Sequence, residues 1–97
     1  MTPKHERMWK TAMQRHQAAM TLVADYGGTL PNDKQLWAVS WLCYHSRNLQ
    51  LLAAARQFDD MAFEQVFEKV IHFARQVMDR FSVSNVETAQ AIHAAAA

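Results

Sequence analysis

With 97 residues the chain has room for one domain, and 51% hydrophobic residues, three Trp and five Phe among them, exclude a disordered chain. A formal charge of +1 gives no whole-chain attraction to polyanions, and a single cysteine, Cys43, excludes an internal disulfide. Only two Gly and two Pro punctuate the sequence, so few turns and long helices are expected. The N-terminus is polar and lacks the apolar run of a signal peptide. The apolar stretches fall well short of the ~20 residues that span a bilayer. A cytoplasmic location is the resulting expectation, with Cys43 expected to be a buried thiol among its apolar neighbours.

Thr2 and Pro3 open the first helix, as N-cap and first helical residue. Trp9, Met13, His16, Met20 and Val23 then recur at a spacing that keeps one seam on one face. A His on such a seam is expected to be hydrogen-bonded and partly buried, and it can titrate near neutrality. Lys4, Arg7, Lys10 and Arg15 fall away from the seam, and Tyr26-Gly27-Gly28 ends the helix. Asn32 or Asp33 caps a second helix, with Gln35 placed for a capping box if Asn32 is the cap. This helix is expected to run to about Gln57, followed by a very short turn and a third helix capped by Asp59 or Asp60.

The third helix carries a wide apolar arc from Phe63 through Val66, Phe67, Val70, Phe73 and Val77 to Phe81. Ser84-Asn85-Val86-Glu87 has the form of a capping box, so a short, Ala-rich fourth helix is expected to start there and dock lightly. The expected fold is all-α, a small bundle of three long helices plus a short C-terminal helix, with residues 1–97 as one domain. Short connections favour antiparallel neighbours. Helix one is mildly basic, whereas helix three carries Asp59, Asp60, Glu64, Glu68 and Asp79 against Lys69, Arg75 and Arg80. Complementary packing within one bundle, or between copies, follows from that contrast.

Helix two is the informative element, because it carries two apolar stripes. At 100° per residue Trp37, Trp41, Tyr44, Asn48, Leu51, Leu52 and Ala55 gather on one side, with Val39, Leu42, Leu49 and Ala53 roughly opposite. Such a helix is either central, with neighbours all round, or turns one stripe to an interface. Trp and Tyr are favoured interface anchors, so the Trp37, Trp41 and Tyr44 stripe is the expected contact surface. Asn48 in the same seam is placed to set register.

Catalytic and metal chemistry find little support. Glu68 and His72 are one helical turn apart, but no matching ligand set stands out on another helix. Cys43 and His45 are two residues apart and point in different directions, so neither activates the other. Gly27-Gly28 lacks the Lys and Ser/Thr of a phosphate loop. No catalytic residue, metal site, cofactor or small-molecule substrate is expected.

The stretch Tyr26-Gly27-Gly28-Thr29-Leu30-Pro31-Asn32-Asp33 resembles a loop found in some phage replication-associated proteins, a short match that implies no residue role. The expected function is a non-enzymatic adaptor, inhibitor or small structural subunit. It would bind itself or a protein partner through Trp37, Trp41, Tyr44, Asn48, Leu51 and Leu52, steered by the basic face of helix one or the acidic face of helix three. The alternative is a small nucleic-acid-binding subunit or regulator that uses Lys4, Arg7, Lys10, Arg15 and Arg47.

Overall fold

A computed structural model describes the backbone of residues 1–26 and 31–96, and side chains as far as Ser82 apart from residues 27–30. Helices make up 85% of it, and the described residues contain no strand. The elements are α1 (Pro3–Ala24), α2 (Asp33–Ala53) and α3 (Asp60–Ala96). The separate short helix expected from Ser84 is not shown, since the backbone there belongs to α3. The docking expected of that segment concerns side chains outside the described residues.

Local chemistry sets the helix starts. The Thr2 side chain accepts the backbone N–H of His5 with Pro3 in the first turn, so α1 begins where its orphan donors are satisfied. At α2 the Asn32 carboxamide accepts the Gln35 backbone N–H at 2.8 Å, and the Gln35 side chain accepts the Asn32 backbone N–H at 2.8 Å. This reciprocal capping box fixes Asn32 as the cap. Asp59 caps α3 by accepting the Ala62 N–H at 3.0 Å.

The end of α2 differs from the sequence expectation. The helix stops at Ala53, with Ala54 as its C-cap, rather than at Gln57, so Ala55 lies outside the helical stripe. Phe58 explains the early stop. Its ring packs on His5 at 5.1 Å and on Phe63 at 5.0 Å, which draws the chain back toward the core before α3 starts.

Cross-links set the directions. Lys4 near the start of α1 meets Glu64 near the start of α3, so those helices run parallel. Gln35 at the start of α2 donates to the Arg80 carbonyl late in the described side-chain region of α3 at 3.3 Å, so α2 and α3 run antiparallel.

The helix in the middle is α3, which packs along both others while α1 and α2 touch little. Its apolar arc supplies the bulk of the core, with Phe63, Val70, Phe73, Ala74, Val77 and Phe81 buried. The flanking helices answer with small residues: Ala12 and Ala19 on α1 and Ala38 on α2 are fully buried, which brings the backbones close to α3. Leu42 and Leu49 complete the inner face of α2. Since α1 leaves the far side of α2 uncovered, α2 is not the central helix.

Candidate functional site

The inner face of α2 carries Gln35, Ala38, Leu42, Ser46 and Leu49, all buried. Turning outward, Trp37 is 49% exposed, Trp41 39% and Tyr44 56%, with Leu51 exposed two turns further on. Asn48 and Leu52 are half-buried at the edge of the same surface. Exposure of this much aromatic area on one helix is unusual for an isolated small protein. The Trp37, Trp41 and Tyr44 stripe therefore lies at the surface, while Leu42 and Leu49 on the other side enter the core.

The stripe is anchored rather than loose. Trp37 meets Phe73 edge-on at 5.5 Å, and Trp41 lies near-parallel to the same ring at 6.0 Å. His45 joins them, near-parallel to Phe73 at 5.3 Å and to Trp41 at 5.5 Å. Tyr44 closes on Trp41 at 5.5 Å, edge to face. One wall of this cluster, Phe73, belongs to α3, so a single core ring holds both tryptophans in position. Burial, and secondarily the Lys69 ammonium, lower the His45 pKa, which favours a neutral ring among its aromatic neighbours.

Cations border the aromatics. The Arg80 guanidinium sits 5.9 Å from the Trp37 ring centroid, within cation–π range. Lys69 lies near His45, and Lys34 and Arg47 extend from α2 itself. Two shallow hollows open along the surface, one lined by Asp33, Lys34, Trp37 and Arg80, the other by Ser40, Trp41 and Tyr44. Sequence reasoning found the aromatic stripe but missed His45, Lys69 and Arg80, which read as ordinary solvated residues until α3 lies beside α2. Cys43, expected to be buried, is exposed, because the core register of α2 runs through Leu42 and Ser46 and leaves it outside.

The α1 side has a different character. Lys4, Arg7, Lys10 and Arg15 are exposed. Lys4 forms an ion pair with Glu64 at 2.8 Å, and that hydrogen bond is the main reason the Glu64 pKa is lowered. Arg15 shares one surface depression with Glu68 and another with Asp79. One ion pair thus joins basic α1 to α3, and Arg75 of α3 lies with Glu68 and Asp79 in the same two depressions. Arg47 lies on α2, apart from the α1 residues grouped with it in the sequence reading.

Two histidines sit between helices. His16 Nδ1 and the Ser46 hydroxyl form a 2.8 Å hydrogen bond that joins α1 to α2, and burial lowers the His16 pKa. His5, not singled out by the sequence, is buried; its Nδ1 lies 2.6 Å from the Thr2 hydroxyl and its Nε2 lies 3.8 Å from Glu64. Among the described residues no group of three His, Cys, Asp or Glu side chains is arranged to hold a metal ion, and no helix is long and apolar enough to cross a membrane. The chain matches no protein-family model, no curated protein and no solved structure.

Proposed function

We propose that this chain is a non-enzymatic interaction protein that engages a protein partner through the outer face of α2, as an adaptor, inhibitor or small subunit of a larger assembly. The observation that carries this reading is the exposure of Trp37, Trp41 and Tyr44 on a helix whose opposite face is fully buried. Core packing already places these rings, so little ordering cost remains to be met on binding. Asn48 and Leu52 border the contact, and Leu51 extends it two turns beyond Tyr44.

The nucleic-acid alternative through Lys4, Arg7, Lys10, Arg15 and Arg47 draws less support from the geometry. Lys4 is paired with Glu64, and Arg15 has Glu68 and Asp79 beside it, so the positive field of that face is partly compensated.

A photo-crosslinker on exposed Cys43, which lies on the same helix, tests the reading in cells. The expected result is a discrete adduct that disappears in Trp37→Ala and Trp41→Ala and persists in Arg7→Glu. Loss in Arg7→Glu alone, with the Trp variants unaffected, would move the contact to α1.

A further inference from the structure

We propose that the outer face of α2 takes an acidic amphipathic helix, with apolar side chains seated among Trp37, Trp41 and Tyr44 and carboxylates on its flanks. This rests on the reading of that face as a protein-binding surface and names the partner chemistry.

Spacing points to a helix. Trp37, Trp41, Tyr44, Asn48 and Leu51 follow one another at alternating intervals of four and three residues, the pattern of a helix seam that receives another helix. Yet this seam faces away from the core. The two hollows repeat after seven residues, Lys34 and Trp37 in one, Trp41 and Tyr44 in the other. Seven residues advance a helix by about 10.5 Å. Apolar side chains at i and i+7 of a docked helix have the same separation, with an i+3 or i+4 residue falling between them over Trp41.

Charge selects the kind of helix. Around the aromatics, α2 contributes Lys34 and Arg47 and α3 contributes Lys69 and Arg80, whereas among the described residues Asp33 is the one carboxylate lining either hollow. Among the described side chains, three acids of α3 lie elsewhere: Glu64 pairs with Lys4, and Glu68 and Asp79 line the depressions shared with Arg15. Although the whole chain carries only +1, Lys34, Arg47 and Lys69 outnumber Asp33 among the described side chains of this face. A second copy docked face to face would set these cations against their equivalents, and like-charge juxtaposition opposes such pairing. Glu or Asp flanking an apolar seam meets Lys69 along one edge and Arg47 along the other.

The test uses the full chain and three probes, followed by intrinsic Trp fluorescence and calorimetry. These are a 20-residue helical peptide with Leu in a four-three repeat and Glu on the flanks, the same peptide with Lys on the flanks, and a 20-nucleotide oligothymidylate. The expected result is that the Glu-flanked peptide binds at least tenfold tighter than its Lys-flanked counterpart. Trp41→Ala and the more exposed Tyr44→Ala each weaken that binding at least tenfold, and Arg47→Glu/Lys69→Glu abolishes or reverses the preference. Both charge reversals lie on exposed side chains, so folding, checked by circular dichroism, is retained.

Equal affinity for the two peptides, with binding still dependent on Trp41, would overturn the acidic partner and leave the protein-binding face standing. Trp41-dependent self-association that excludes both peptides would do the same. Trp41-dependent binding of the oligonucleotide alone would overturn the acidic partner and the protein-binding reading together. No association that depends on Trp41 or Tyr44 would likewise overturn both.

Discussion

Leu49 and Leu51 are two residues apart on one helix, one fully buried and the other 61% exposed. The difference follows from which side of α2 meets α3. Leu49→Ala opens a cavity in the buried core that α2 shares with α3, and is expected to cost about 2–5 kcal/mol in chemical denaturation. Leu51→Ala is expected to stay within about 0.5 kcal/mol of the parent. A loss at Leu51 as large as that at Leu49 would place the outer face in the core. At His16 the expected effect depends on pH. Burial lowers its folded pKa below the unfolded value of about 6.5, so the unfolded state takes up a proton first as pH falls. Its contribution is fully present above that value and is lost as pH drops toward the folded pKa. Thermal stability should therefore decline from pH 7.5 to pH 5.5 more steeply in the parent than in His16→Gln, and matching slopes in the two would contradict the assignment. His45 adds to the parent slope in the same direction.

At the scale of elements, helix starts were legible and one helix end was not. Thr2, Asn32 and Asp59 act through groups within three residues of themselves, so their roles are written in the local sequence. Asn32→Ala removes the reciprocal bond with Gln35 and is expected to cost about 1 kcal/mol, read as a lower thermal midpoint. An unchanged midpoint would mean that the cap contributes nothing measurable. The stop of α2 at Ala53 was hidden because its cause, Phe58 packing on His5 and Phe63, is a contact made only after folding. The same reasoning covers the site. Helical periodicity separated the two stripes of α2, but periodicity along one helix carries no information about which neighbour covers which stripe. Lys69, Phe73 and Arg80 joined the surface only through the antiparallel placement of α3.

Across the whole molecule, α3 presents different charges to its two neighbours, with Arg75 beside Glu68 and Asp79 on the α1 side. Its carboxylates at Glu64, Glu68 and Asp79 lie toward basic α1, while Lys69 and Arg80 lie toward the aromatic face of α2. One side carries an ion pair within the fold, and the other combines exposed aromatic rings with the cations Lys34, Arg47 and Lys69. The measurement that tests this division most directly is chemical denaturation of Trp41→Ala beside Leu42→Ala, neighbours in sequence about 100° apart on α2, one part-exposed and one buried. The account predicts a loss of about 2–5 kcal/mol for Leu42→Ala and no more than about 1.5 kcal/mol for Trp41→Ala, whose ring is part-exposed. A loss at Trp41 equal to or greater than that at Leu42 would mean that the aromatic stripe holds the fold together rather than standing ready for a partner.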